Sequence, residues 1–153
     1  MYVRNTLCAK ELKDLSVNNL EALWIELQVS QRKFVIGGIY RPPDSNNTYW
    51  NLLEDSIDRA FSQNCHNILV TGDFNINVQN STSNRISRLI SSYNAEQLIT
   101  SATHFTETSC SLIDLMFIRH TNHVITSFVA DPFIPDLIRF HCPIVTVMKF
   151  DKP

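Results

Sequence analysis

Apolar side chains recur at every second position from Leu23 to Val29, with Leu23, Ile25, Leu27 and Val29 on one side and Trp24, Glu26 and Gln28 on the other. That period predicts a strand with one partly polar face. A second apolar run, Lys33 to Tyr40, predicts a strand that Pro42 and Pro43 terminate, since neither ring can donate to a ladder. Its Gly37-Gly38 pair is costly in conformational entropy and points to a bulge or a close backbone approach. The period then changes. Trp50, Leu53, Ile57, Ala60 and Phe61 recur at three and four, which predicts a helix that Asn47 or Thr48 can cap. Ile68 to Thr71 reads as a central strand, and Asn84 to Tyr93 repeats the helical period through Ile86, Leu89, Ile90 and Tyr93. Leu112 to Ile118, Val124 to Ala130 and Ile144 to Met148 predict three closing strands, while Asn77 to Ser83 and Asp131 to Arg139 read as irregular. Strands and helices alternating in this way predict an α/β fold, with helices packed on a mainly buried sheet.

Composition narrows the class. The 153 residues, 44% hydrophobic, suffice for one globular domain spanning residues 1–153. A formal net charge of -2 provides no global basic field, so any DNA contact must come from a local patch. Cys8, Cys65, Cys110 and Cys142 form no C-x-x-C pair and read as reduced, mostly buried thiols of an intracellular protein. No apolar run reaches membrane-spanning length and residues 1–20 lack a signal-peptide core, so a soluble nuclear or cytoplasmic domain is expected.

The chemical signal lies in four segments. Ile68 to Asn75 is an apolar run ending in Gly72-Asp73-Phe74-Asn75, which delivers a carboxylate and a carboxamide at a strand tip, where active sites of α/β proteins lie. If the extended conformation persists, Asp73 and Asn75 point to one side. The same residues also form ordinary turns. Asp114, between Leu112, Ile113, Leu115 and Met116, is costly to bury without a partner, and a hydrogen bond to a histidine that fixes its tautomer is one sensible answer. His141 precedes Cys142-Pro143 and is suited to take a proton from water near neutral pH. Tyr40 and Arg41 end the second strand, where an aromatic cap and a solvated turn charge are the plain alternatives. His120 and His123 follow a strand with no third ligand nearby and read as a loop, and His66 and His104 carry no signal of their own.

In order and spacing, Tyr40-Arg41-Pro42-Pro43, Gly72-Asp73-Phe74-Asn75, Leu112-Ile113-Asp114-Leu115-Met116-Phe117 and Phe140-His141-Cys142-Pro143 resemble the endonuclease/exonuclease/phosphatase superfamily. Within it they look most like the endonuclease domain of non-LTR (LINE-like) retrotransposons, the kind associated with a reverse transcriptase, over about Tyr2 to Val147. The resemblance implies a two-sheet α/β sandwich of the DNase I-like type and magnesium-assisted attack of water on the phosphorus of DNA. It implies His141 as general base oriented by Asp114, with Asp73 and Asn75 positioning water and the scissile phosphate. Tyr40 contacts that phosphate, Arg41 meets the DNA backbone, Asp73 is a metal ligand, and Thr100 to Ser111 lies near the DNA.

Two departures shape the expectation. The family's L-N asparagine and Q-E-T glutamate, its principal metal ligand, have no counterpart, and Glu11, Asp14, Glu21 and Glu26 lack that motif context. Tyr2-Val3-Arg4-Asn5 resembles a strand lying after that region, so the chain is expected to begin inside the domain, leaving the sandwich incomplete at its N-terminus. The family's S-D-H is replaced by Arg139-Phe140-His141, and phenylalanine cannot ligate a cation; Asp136 is an alternative acid from the loop. Low magnesium affinity and impaired hydrolysis follow. The rival readings are a catalytically silent remnant or nucleic-acid-binding module, and a phosphatase-type member of the superfamily. An incomplete sandwich also implies an exposed apolar edge and self-association.

Overall fold

The computed structural model describes residues 1–29, 31–79, 83–134 and 138–149. Strand β1 (Cys8–Glu11) and a turn of 3-10 helix (Lys13–Leu15) lead to β2 (Ala22–Val29) and β3 (Arg32–Tyr40). Helix α1 (Asn47–Phe61) crosses to β4 (Asn67–Asp73), and α2 (Arg85–Ser92) is followed by β5 (Glu96–Gln97), β6 (His104–Phe105) and β7 (Cys110–Ser111). The chain closes with β8 (Asp114–Ile118), β9 (Val124–Val129), β10 (Phe140–His141) and β11 (Ile144–Met148). Among the described residues three sheets result: six strands in the order β1-β2-β3-β4-β8-β5, three in the order β10-β6-β7, and the pair β11-β9. Strands β3 and β4 run parallel, as a connection through a helix allows, and the other pairs of the large sheet are antiparallel.

The helical stripe is buried as its period requires. Leu53, Ile57 and Ala60 are fully buried, in one core with Trp24, Val35, Ile68, Val70, Leu115 and Phe117. Each such leucine or isoleucine contributes roughly 1.5–3 kcal/mol, so α1 is a main clamp on the sheet. The cap is Asn46, one residue before the expected pair, and its Oδ1 accepts from the Tyr49 N–H at 3.0 Å. Asn84 caps α2 in the same way on the Ser87 N–H. Beneath α1, the indole Nε1 of Trp24 donates to Ser56 Oγ at 2.9 Å, and that hydroxyl donates to Leu15 O at 2.8 Å. Trp24 therefore marks the helix-covered face of β2, while Leu23 and Leu27 stay half-exposed on the other face.

The Gly37 position is explained by a ring rather than a bulge. A Cβ there would lie 2.4 Å from the Trp24 indole, and the β2–β3 register runs unbroken from Ala22↔Ile39 to Val29↔Arg32. Opposite the helices, Val124, Val129, Ile144 and Met148 of the β9–β11 pair pack on the core, and Thr146 Oγ1 donates to Met116 Sδ at 2.8 Å. This is a mixed α/β sandwich of the expected DNase I-like type, with the β9–β11 pair packed opposite the helices. Ile125, Phe128 and Val147 stay 41–60% exposed on that pair.

Several expectations are corrected. Tyr2 to Asn5 is not a strand; the chain turns there, with Leu7 N–H on Arg4 O, and pairing starts at Cys8. Leu112 and Ile113 connect β7 to β8 instead of extending β8. Cys8 and Cys110 are exposed, so two of the four free thiols are buried. Asp136 lies outside the described residues. No helix among the described residues is long and apolar enough to cross a membrane.

Candidate functional site

The registers of three strands assemble the site. Tyr40 at the end of β3 pairs with Asp73 at the end of β4, and Asp73 pairs with Asp114 at the start of β8. Directly paired residues share a face and sit about 5 Å apart, so the three side chains form a row at one end of the sheet. Gly72 makes the row possible: its φ is +150° and a Cβ would lie 1.7 Å from Ile39 O. The small sheet then brings in the fourth member. Strand β10 pairs with β6, and His141 Nδ1 lies 2.9 Å from Asp114 Oδ2 and 3.1 Å from Oδ1. The pairing expected from sequence is present, with the Asp114 side chain 15% and the His141 side chain 43% exposed.

Asp73, Asp114 and His141 offer ligand atoms within 4.8 Å of one another, the group among the described residues with metal-ligand spacing. Burial pushes the Asp73 carboxyl above its ordinary range; the Asn75 N–H works against that and the neighbouring Asp114 charge with it. The extended conformation does not persist past Asp73. Asn75 sits at φ +48°, its N–H donates to Asp73 Oδ1 at 2.9 Å, and its Nδ2 donates to Arg41 O at 2.9 Å. The plain turn geometry and the assembled site thus coexist in the same residues.

Arg41 is used differently from the sequence expectation of a contact to DNA. It is 4% exposed, its Nε donates to Phe74 O at 2.5 Å and its Nη2 to Asn75 O at 2.8 Å, and the guanidinium packs 4.9 Å from the Trp50 ring. It fastens the Asp73–Asn75 turn to the end of β3. Tyr40 is 42% exposed beside Asp73, and Tyr49 Oη donates to its carbonyl at 2.9 Å. A cavity of about 570 Å³ borders Tyr40 and Gly72, lined by Met1, Leu23, Gly38 and Ile39 among others.

Two residues that the sequence marked only as part of the segment Thr100 to Ser111, with no role of their own, belong here. Buried Thr103 accepts the Asp114 N–H on Oγ1 at 3.0 Å, and its carbonyl accepts the Cys142 N–H at 2.7 Å, which ties both ends of the Asp114–His141 pair together. His104 is 7% exposed with its ring 4.7 Å from that of His141; burial, then the nearby His141 and Arg139, lowers its pKa. Phe140, where the family has an acid, turns to the other side of β10 and stacks on Phe105 at 5.3 Å. His120 and His123 fall at the β8–β9 connection, as expected, and with His66 and Arg32 line a cavity at the opposite end of the strands.

A family model described as endonuclease-reverse transcriptase matches residues 34–144. Among solved structures the chain is similar to the endonuclease domain of TRAS1, a telomere-specific non-LTR retrotransposon, at 14% identity and a TM-score of 0.73, covering 94% of this chain and 67% of that one. It is similar to an endonuclease/exonuclease/phosphatase family protein from Leptotrichia buccalis C-1013-b (14%, TM-score 0.64, 84% and 53%). It also resembles the Bacteroides thetaiotaomicron VPI-5482 mannosyl-6-phosphatase Bt3783 (16%, TM-score 0.60, 84% and 57%). The chain thus spans from about half to two thirds of these structures, and at such identities the likeness is one of fold. No curated protein matches. The family match runs from Phe34 in β3 to Ile144 in β11 and takes in the whole row together with His141, and the chain belongs to the endonuclease-reverse transcriptase family within the endonuclease/exonuclease/phosphatase superfamily.

Proposed function

We propose that this chain is the later part of a retrotransposon-type endonuclease domain that hydrolyses DNA phosphodiesters with a divalent cation. The observation that carries the reading is the Asp114–His141 hydrogen bond beside Asp73. With Nδ1–H donated to Asp114, His141 keeps a lone pair on Nε2. Water is deprotonated there as its oxygen bonds to phosphorus, and the phosphorus–oxygen bond to the departing sugar breaks, that oxygen taking a proton from solvent. Asn75 and Tyr40 hold the phosphate, and Arg41 positions Asn75 from behind.

Two carboxylates and a ring nitrogen suit a hard divalent cation in part, since Asp114 already faces His141 and leaves Asp73 as the free acid. Magnesium bound there would neutralise charge on the phosphoryl oxygens. With no Q-E-T glutamate in the 153 residues and Phe140 in place of an acid, affinity for the cation is low and hydrolysis by these residues alone is slow.

The test is nicking of supercoiled plasmid in magnesium by this chain, by His141→Ala, and by a form carrying the family's L-N and Q-E-T segment upstream. Slow nicking by the chain, strong nicking by the extended form and none by His141→Ala in the short or the extended form is the expected pattern. Brisk nicking that survives His141→Ala overturns the mechanism. An inactive extended form that still binds DNA replaces it with the silent binding module, and preference for phosphate monoesters replaces it with the phosphatase reading.

A further inference from the structure

We propose that Arg139, held by the buried imidazole of His104, forms a cationic subsite for a phosphate flanking the scissile one, so that the cleft selects a polynucleotide over a small phosphate ester. This rests on the hydrolytic reading above. Strand β10 places His141 opposite His104, and Arg139 precedes it by two residues, with Phe140 between them turned away onto Phe105. Arg139 therefore enters on the histidine side. Its Nε donates to His104 Nε2 at 3.0 Å.

An imidazole nitrogen that accepts from a guanidinium carries the lone pair, so the His104 proton is on Nδ1, which lies 3.2 Å from Ser111 Oγ. His104 is thus fixed at both nitrogens. Its bond orients Arg139 without neutralising it, because among the described residues the partner is a neutral imidazole and not a carboxylate. Of the other arginines, Arg59 and Arg85 pair with Asp55 and Glu54, and Arg41 and Arg119 donate to main-chain carbonyls. Among the described residues the Nη groups of Arg139 have no hydrogen-bond partner, and a planar guanidinium fork suits two phosphate oxygens. In a chain of net charge -2, a fixed cation one ring from His141 is the kind of local patch that contact with a polyanion requires.

Duplex DNA binding is measured without divalent cation across a salt series for the chain, Arg139→Gln, Arg139→Lys, His104→Phe and the control Arg88→Gln, which removes an exposed charge from α2; thermal melting checks that each folds. Arg139→Gln is expected to weaken binding roughly tenfold and to lower the salt slope by about one. Arg139→Lys should restore the slope but not the full affinity, since a point charge replaces a fork. His104→Phe should weaken binding with the slope retained, and Arg88→Gln should change neither. Hydrolysis of bis-p-nitrophenyl phosphate, which has no flanking phosphate, should be equal in the chain and Arg139→Gln. Equal loss in Arg88→Gln, or no loss in Arg139→Gln, overturns the subsite while leaving the hydrolytic reading intact. If the unaltered chain binds no DNA, the DNA reading fails. The subsite is then judged by the Arg139 Nε–H resonance against dimethyl phosphate, an unmoved signal overturning it.

Discussion

Asp73 stands under opposing demands, since the desolvation that favours its protonated form also makes its carboxylate a stronger partner for a cation. Its pKa is raised first by burial, so the folded chain holds the proton more tightly than the unfolded chain does. The resulting contribution to stability is full below the unfolded pKa and is lost as pH rises through the folded one. At neutral pH the ionised group is therefore a burden. Asp73→Asn keeps an oxygen for the Asn75 N–H, so it should raise Tm at pH 7 while abolishing manganese binding in a calorimetric titration, and the Tm gain should vanish on acidification. A lower Tm at pH 7 would show that the carboxylate stabilises the turn. That Asp114 needs a partner was legible in the sequence because it lies between apolar neighbours, and the family resemblance pointed to His141 as that partner. Arg41 and His104 were not, because the carbonyls of Phe74 and Asn75 and the β6–β10 pairing that engage them exist only in the folded chain.

Among the elements, β2, β3, β4, β8, β9, β11 and both helices were legible, each long enough to display a pattern. The two-residue strands β5, β6, β7 and β10 were not, since two residues cannot show alternation and their partners come from elsewhere in the chain. Which face of β2 the helix covers could not be read from its period either. Trp24 sits among Glu26 and Gln28, yet its indole is satisfied by the Ser56 hydroxyl of α1, 32 residues further along the chain. That hydroxyl carries a prediction. Ser56→Ala removes the acceptor of Trp24 Nε1 and the donor to Leu15 O in a fully buried place, so it should cost about 1–3 kcal/mol in urea unfolding. A loss below roughly 0.5 kcal/mol would mean that the two groups find other partners, since surface changes stay within that range.

For the whole molecule, the thin second layer decides solution behaviour. The outer side of the β9–β11 pair carries Ile125, Phe128 and Val147, and exposed apolar surface next to a strand edge favours association. Sedimentation should show a concentration-dependent increase in mass that Phe128→Lys suppresses; a monomer at all concentrations would count against this. The site itself straddles two bodies of unequal strength. Tyr40, Asp73 and Asp114 ride on the large sheet, whereas His141, His104 and Arg139 belong to or adjoin a sheet of two-residue strands. Short ladders open far below the global free energy of unfolding. Amide protons of Phe105 and His141 should therefore exchange with deuterated solvent much faster than those of Val70 and Phe117. Any catalysis should likewise fade on warming before the far-ultraviolet signal of the sheet changes, so that His141 leaves the proposed site while the large sheet is still folded.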